Sequence, residues 1–394
     1  MPGWEVLGQE ELDAIQEWWH ASNAVMMAHG NDARRNGIFK VREFEGAFAE
    51  RHAIAHAQAV SSGSTALLVA LRALGVEPGD EVITQSFTFI ATVEAILEAG
   101  AVPVIAPVDD SLNLDPARLE EHVTERTRAV IPVHMAGAPA DLDPILAVAE
   151  RHDLAVLEDT AQALGGSYRG RPLGTIGHAG AFSFDFAKNI TSGEGGMIVT
   201  ADADVWERAR AGHDHGHEYN PDFPRGRDTR SRPGFNYRMS EIHAVIGLVQ
   251  LGKLDHIVAA QRANYAMLEE RLSDLDLEPR RVHDPDGHIG DTFIFFLEDE
   301  RRAAAMAERL GELGVATKNL PDAIDWHFVA TFTHLGDRLP MLQQGDCACY
   351  GASRECVCAS QLRRAIALPV NVGTDEQEVE RVAAAVREAL SVAV

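Results

Sequence analysis

Between about residue 58 and residue 200 the hydrophobic positions switch repeatedly between helical spacing and short continuous runs, and glycine, proline or small polar residues mark the switches. Apolar residues from Thr65 to Leu74 recur at helical intervals and stop near Gly75. The turn Glu77-Pro78-Gly79-Asp80 then opens a strand at Glu81-Val82-Ile83-Thr84. Helix is predicted from Phe89 to Leu97, closed by Gly100, and strand over Val102-Pro103-Val104-Ile105. The alternation continues with helix around Leu119 to Val123, strand over Ala129 to Val133 and helix over Pro144 to His152. A strand over Ala155 to Leu157 ends in Glu158-Asp159, and two more follow at Phe182-Ser183-Phe184 and Met197-Ile198-Val199. Strands joined by helical crossovers predict an α/β fold with a mostly parallel sheet covered on both faces. Ligands of such sheets sit beyond the carboxyl ends of the strands. Asp159 and Lys188 both follow strands, and Ser62-Gly63-Ser64-Thr65 opens a helix, so these segments are expected to converge on one crevice.

A long helix is predicted from Met239 to Glu270, interrupted only by Gly247 and Gly252. Beyond it lie a strand (Thr292 to Phe296), a helix (Arg301 to Leu313) and a last helix (Glu376 to Leu390), the pattern of a smaller α+β unit. The chain therefore divides into a large domain, residues 1–270, and a small C-terminal domain, residues 271–394, with residues 1–20 able to pack on the small one. The stretch His217 to Pro233, rich in charge, glycine and proline, reads as a mobile surface loop.

With 60 acidic against 35 basic residues the net charge is −25. No basic face can dominate such a surface, which argues against nucleic acid as a partner. Met1-Pro2-Gly3-Trp4-Glu5 lacks the basic and apolar regions of a signal peptide, and no apolar run approaches the roughly 20 residues that span a bilayer. The expectation is a soluble, cytoplasmic protein without a membrane partner. All four cysteines, Cys347, Cys349, Cys356 and Cys358, fall in one stretch. Their Cys-x-Cys spacing is not the Cys-x-x-Cys of zinc knuckles, and free thiols in a loop fit better.

The candidate chemistry centres on Lys188, in Ser183-Phe184-Asp185-Phe186-Ala187-Lys188-Asn189, with Gly193-Glu194-Gly195-Gly196 following. A lysine at a buried strand end loses part of its preference for the charged form, and a neutral amine there attacks carbonyls. Gly63-Ser64-Thr65 reads either as a plain helix cap or as an anion cradle. Asp159 reads as a turn residue or as a buried carboxylate that keeps a proton on a heteroaromatic nitrogen. Gln162 lies within reach of the same ligand, and Phe89 is core or a stacking platform. Phosphate cradle, aromatic platform, aspartate and Schiff-base lysine together specify a pyridoxal 5'-phosphate site.

Those segments carry a resemblance. Val60-Ser61-Ser62-Gly63-Ser64-Thr65-Ala66-Leu67, Phe87-Thr88-Phe89, Leu157-Glu158-Asp159-Thr160-Ala161-Gln162, Lys188-Asn189 and Gly234-Phe235-Asn236-Tyr237-Arg238-Met239-Ser240-Glu241 resemble the DegT/DnrJ/EryC1/StrS aminotransferases. The resemblance implies the aspartate-aminotransferase-like fold (fold type I) and pyridoxal 5'-phosphate as cofactor. Lys188 would carry the cofactor as a Schiff base, Asp159 would pair with the ring nitrogen, Gln162 would contact the ring hydroxyl and Phe89 would stack on the ring. Gly63, Ser64, Thr65 and Ser183 would hold the phosphate, with Asn236 reaching it from the neighbouring subunit of a homodimer. The activity implied is ping-pong transfer of an amino group from glutamate or glutamine to a keto or aldehyde sugar or sugar acid. The alternatives are an aminocyclitol or other natural-product ketone as acceptor, or a cofactor-binding partner subunit without activity. The chain departs from the family pattern at Ser64 (usually threonine), Gln85 (often proline) and His243 (commonly glutamine).

A narrower likeness, to the 8-amino-3,8-dideoxy-manno-octulosonate aminotransferases, rests on Arg35-Asn36, Lys40, Arg42, Asp214-His215-Gly216-His217 and Trp326-His327. It implies substrate contacts from Arg35, Arg42, His215, His217, Trp326 and His327, to which the chemistry adds His134 at a strand end and Arg364 as a carboxylate clamp. His213, His215 and His217 alternate as loop zinc ligands can, but lining the substrate entrance fits them better, so no metal is expected.

Overall fold

The computed structural model describes residues 3–27, 33–317, 327–339 and 357–392. Helices α1 (Gln9–Ala21) and α2 (Lys40–Arg51) lead into strand β1 (His56–Val60). There follow α3 (Gly63–Ala73), β2 (Glu81–Gln85), α4 (Ile90–Glu98), β3 (Val102–Ala106), β4 (Thr127–Ile131), α5 (Leu142–Arg151) and β5 (Ala155–Asp159). A short hairpin, β6 (Ser167–Tyr168) and β7 (Arg171–Pro172), precedes β8 (Ala179–Ser183) and β9 (Gly196–Thr200). The rest comprises α6 (Ala203–Gly212), α7 (Glu241–Leu272), β10 (Glu278–Pro279), β11 (Thr292–Phe296), α8 (Glu300–Glu312), α9 (Val357–Arg364), β12 (Ala365–Pro369) and α10 (Glu376–Val392).

The main sheet has seven strands in the order β1-β9-β8-β5-β4-β2-β3. It is parallel from β8 to β3, while β9 runs antiparallel to both β8 and β1. Strands β2, β8 and β9 are buried end to end, as a sheet covered by helices on both faces requires. Register places the site. Asp159 pairs with Ala181 across β5 and β8, and Gly196 pairs with both Ser183 and Val60. The carboxyl ends of β5, β8 and β1 therefore lie side by side, and α3 starts just after Val60.

Two sequence expectations need correcting. The region Leu119 to Val123 is a short 3-10 turn, Leu119–His122, not an α-helix. Helix α7, 32 residues long, does contain an apolar stretch long enough to cross a bilayer by length and composition. Among its buried positions are Ala244, Leu251, Leu254, Ile257, Val258 and Leu268, and it packs against α1, α2 and α10, which is the setting of a core helix. Gly247 permits the close approach of α2, because a Cβ there would lie 2.8 Å from the Phe44 ring.

The N-terminal segment lies mainly on α7. Lys253 Nζ donates to Glu11 (2.7 Å), Glu10 (3.0 Å) and the Val6 carbonyl (2.8 Å), and the N–H of Gly373 reaches Glu5 (3.2 Å). The smaller sheet, β10-β11-β12, is antiparallel and encloses its own apolar cluster with α8 and α10 around Phe293, Phe295, Met306 and Val386.

Candidate active site

Helix α3 opens at the sheet's carboxyl edge with Ser62 as its cap. Ser62 Oγ accepts from the Thr65 N–H (3.1 Å), and the Ser62 N–H donates to Thr65 Oγ1 (3.0 Å). Both hydroxyls thus serve the cap, which leaves Ser64, exposed at the tip, as the uncommitted hydroxyl. Gly63 is forced by packing: a Cβ there would lie 2.7 Å from Ser183 Cβ, and one at Gly196 would lie 2.3 Å from the Ser62 carbonyl oxygen. The first turn of the helix, the end of β8 and the start of β9 are in backbone contact. Free N–H groups, the helix dipole and the Ser64 and Ser183 hydroxyls there have the chemistry an anion cradle needs.

Asp159 ends β5 and is buried. Its Oδ2 accepts from Thr92 Oγ1 (2.8 Å) and its Oδ1 from the Ala161 N–H (3.1 Å). Burial pushes its pKa up, against the pull of those two hydrogen bonds and of the charge on Lys188. A buried carboxylate in that state is stabilised by a cation placed against it. Thr92 is itself bonded to Thr88 Oγ1 at 2.8 Å, so a hydroxyl relay runs from the Phe87-Thr88-Phe89 segment to the carboxylate. Gln162, three residues on, accepts the Ala136 N–H on Oε1 at 3.1 Å.

Lys188 is half-buried, in the loop after β8. Its N–H closes a turn on the Asp185 carbonyl (3.0 Å), and its own carbonyl accepts from Gly3 N–H (2.7 Å). A Cβ at Gly3 would lie 2.6 Å from that carbonyl oxygen. Asn189, next in sequence, anchors the loop by donating to the Leu164 carbonyl (3.0 Å). Phe89 caps α4 with its ring 39% exposed, as a stacking platform must be, and the His327 ring lies 5.7 Å from it. His327 is held there by its backbone, whose carbonyl accepts from the Thr88 N–H at 2.7 Å.

The other candidate residues have different surroundings. His134 is fully buried. Its Nδ1 accepts from the Ala140 N–H (3.0 Å), so Nε2 carries the proton toward Glu158 Oε2 (3.2 Å), and neither nitrogen is left for a substrate. Arg35 forms a buried ion pair with Glu241 (2.7 Å). Arg42 lies over the Phe39 ring at 4.0 Å. Arg364 belongs to the small sheet, bonded to the Leu297 carbonyl (2.6 Å) and Glu278 (2.9 Å). His217 is buried between Asp228 (3.0 Å) and Arg230 (3.1 Å); the arginine can only donate, so Nδ1–H points at Asp228. His215 is exposed beside Phe235. Trp326, Cys347, Cys349 and Cys356 lie outside the described residues, and Cys358 is buried with its thiol toward the Val108 carbonyl (3.8 Å).

The stretch expected to be a mobile loop is tied down. Asp214 accepts from Arg225 (2.6 Å), Tyr219 (2.6 Å) and Arg238. Burial opposes ionisation there, but these donors and charges pull its pKa well below the ordinary value. The cluster fixes the strand-like run Phe235 to Arg238, in which Asn236 is exposed. Sequence reasoning missed Thr92, and it did not foresee the anchoring roles of Gln85 and Asn189. Gln85, standing where the family often has proline, accepts from the Val133 and Leu114 N–H groups (3.0 and 3.1 Å) and donates to the Phe87 carbonyl (2.8 Å). A helical register drawn from Thr88 puts Thr92 one turn on, which was the signal available for it.

An α/β sheet of this order, with cradle, buried carboxylate and lysine gathered at one edge, defines a fold-type I pyridoxal 5'-phosphate enzyme. Residues 21–387 match the model of the DegT/DnrJ/EryC1/StrS aminotransferase family, and the chain belongs to it. Among curated relatives, GDP-perosamine synthase of Caulobacter vibrioides is 36% identical over 357 residues, 88% of this chain and 89% of the relative. L-glutamine:2-deoxy-scyllo-inosose aminotransferase of Micromonospora echinospora is 39% identical over 324 residues, 78% of this chain and 76% of that one. Among solved structures, 3-amino-5-hydroxybenzoic acid synthase superposes with a TM-score of 0.84 at 28% identity, covering 99% of this chain and 98% of that one. The protein is a pyridoxal 5'-phosphate-dependent aminotransferase.

Proposed function

We propose that this aminotransferase moves the amino group of glutamate or glutamine to the carbonyl of a keto or aldehyde sugar, or of a related sugar acid. The observation that carries the site assignment is Asp159, a buried carboxylate whose pKa is raised and whose two oxygens are already oriented by Thr92 and Ala161. A protonated ring nitrogen is the cation such a group is built to meet. The residues fit the cofactor at its other end as well: Ser64, Ser183 and the N–H groups after Ser62 suit the phosphate, and the exposed ring of Phe89 suits a flat face.

When bound, pyridoxal 5'-phosphate supplies the electron sink for cleaving the donor's α-C–H bond. Lys188 Nζ would hold the cofactor covalently and, once displaced, would move the proton from the donor's α-carbon to the cofactor's C4′ carbon. Asp159 keeps the proton on the ring nitrogen. Phe89 would cover the cofactor ring, and the His327 ring, 5.7 Å from that of Phe89, would meet the acceptor.

An aminocyclitol ketone as acceptor is the second reading, favoured by the relative named for 2-deoxy-scyllo-inosose. A homodimer is part of the proposal. Phe235 is 61% exposed beside exposed Asn236, next to a cavity of about 590 Å³ lined by Val69, Val76, Pro78, Gly234 and Tyr237. A second copy covering that face would bring its Asn236 toward this subunit's cradle. The division near residue 270 and a cytoplasmic setting complete the reading, supported by two separate sheets and the acidic composition.

The test is Lys188→Ala. The variant should keep the fold, lose the visible band given by added pyridoxal 5'-phosphate, give no borohydride-fixed adduct and lose turnover. Normal turnover in Lys188→Ala would end the proposal.

A further inference from the structure

Arg280 is buried and, among the described residues, forms no ion pair; its guanidinium donates instead to two successive main-chain carbonyls, Met135 (3.0 Å) and Ala136 (3.0 Å). Tyr265 and Asp291 are the polar groups whose fields it feels. An arginine taken out of water to hold peptide oxygens is costly unless that peptide must be held. The peptide is unusual. Ala136 has φ 47° and ψ 49°, a left-handed conformation that alanine rarely adopts. The Met135 N–H is fixed by Asn113 Oδ1 (3.0 Å), and the Gly137 carbonyl accepts from the Ile289 N–H (3.0 Å). Gly137 has no room for a side chain, since a Cβ there would lie 2.5 Å from both Ile289 and Asp291.

The bent turn has one functional product. Its Ala136 N–H donates to Gln162 Oε1 at 3.1 Å. An N–H must meet the oxygen of the carboxamide, so the amide of Gln162 cannot flip. Its NH₂ group, which has no protein partner among the described residues, is left as a donor beside Asp159. We propose that Arg280 is a positioning residue for the cofactor: by clamping the Met135–Ala136 turn from the C-terminal part of the chain, it fixes Gln162 as a hydrogen-bond donor to the ring hydroxyl oxygen. The inference rests on the pyridoxal 5'-phosphate site proposed above and adds a route by which residues 280–291 act on the electronics of that site.

The experiment is a double-mutant cycle on the full chain, with pyridoxal 5'-phosphate as the probe. It reads the cofactor's affinity from fluorescence quenching and its visible absorption band at fixed pH. Arg280→Met and Gln162→Ala should each weaken binding about five- to tenfold, the scale of one oriented hydrogen bond. Both should move the visible band in the same direction. In the Gln162→Ala background, Arg280→Met should add less than about twofold and no further band shift. Arg280→Lys, which can reach only one of the two carbonyls at a time, should fall between wild type and Arg280→Met. An equal effect of Arg280→Met in both backgrounds overturns the proposal. So does an unshifted band in Gln162→Ala, which needs no Arg280 variant to fold. If instead the wild type binds no pyridoxal 5'-phosphate and Lys188→Ala changes nothing, the cofactor site itself is wrong, and this inference goes with it.

Discussion

The hydroxyl of Thr92, in the first turn of α4, donates to Asp159 Oδ2 at 2.8 Å, although the two residues are 67 positions apart in the chain. The bond ties the helix capped by Phe89 to the strand that carries the carboxylate, so the two groups proposed to meet the cofactor share one frame. It also favours the charged form of Asp159 against burial. Thr92→Val keeps the shape and removes the donor. The expected outcome is about tenfold weaker cofactor binding, ~1.4 kcal/mol, with little change in the urea midpoint of the cofactor-free protein. Fluorescence titration against urea unfolding of the same preparation separates the two effects.

Asp159 predicts an opposition between stability and activity. In the cofactor-free protein its pKa is raised above the ordinary carboxylate value. The folded state therefore binds more protons than the unfolded state just above that value, and stability falls as pH rises through the folded pKa. Asp159→Asn removes the titration. Without cofactor the variant should be more stable than wild type at pH 8, and the advantage should vanish below about pH 4, where both states of the wild type are protonated. With cofactor, turnover should drop about 10²–10³-fold, the scale of losing one preorganised charge. Melting temperatures across this pH range, with and without pyridoxal 5'-phosphate, check the crossing. A cofactor-free variant less stable than wild type at pH 8 would refute the account.

What was legible in the sequence was local. Apolar periodicity bounded by Gly75, Gly79 and Gly100 located α3, β2, α4 and β3 to within a residue or two, because turn chemistry and burial are written in adjacent positions. Strand β1 was not foreseen: His56-Ala57-Gln58-Ala59-Val60 has neither alternation nor bulk, and it is a strand because β9 pairs with it. The candidate site residues divide in the same way. Lys188, Asp159, Gln162 and Ser64 sit in segments whose local pattern already implied a crevice. For His134 and Arg35 the deciding partners are Glu158 and Glu241, 24 and 206 positions away, and no local pattern shows a buried partner at that distance. The stretch His217 to Pro233 has the composition of a free loop, but Arg225 within it and Arg238 beyond it are spent on Asp214.

The cradle makes a sharp distinction between neighbours. Gly63→Ala puts a Cβ 2.7 Å from Ser183 Cβ, with strand backbone behind it, so the variant should lose both stability and phosphate binding. Ser64→Ala, at an exposed position, should leave the melting temperature of the cofactor-free protein within about 1 °C and weaken pyridoxal 5'-phosphate by roughly one hydrogen bond to a charged group, ~1.5–3 kcal/mol. Pyridoxal, which lacks the phosphate, should bind wild type and Ser64→Ala equally. A preference of wild type for pyridoxal over the variant would mean that Ser64 does not serve the phosphate.

The ion pair of Arg35 and Glu241 tests whether a basic residue near the N-terminus acts on substrate or on the fold. Both side chains are 1% exposed, and Glu241 also accepts from the Lys40 and Val41 N–H groups at the start of α2. Burial raises the Glu241 pKa, with the Arg35 charge the main force holding it down. Arg35→Met leaves that carboxylate buried without its cation, a loss of about 3–5 kcal/mol. Arg35→Met/Glu241→Gln should recover part of it, because the stranded charge is gone. Urea unfolding of the cofactor-free variants reads this directly. A residue that bound substrate would behave in the opposite way, with an unchanged urea midpoint and a raised KM for the acceptor.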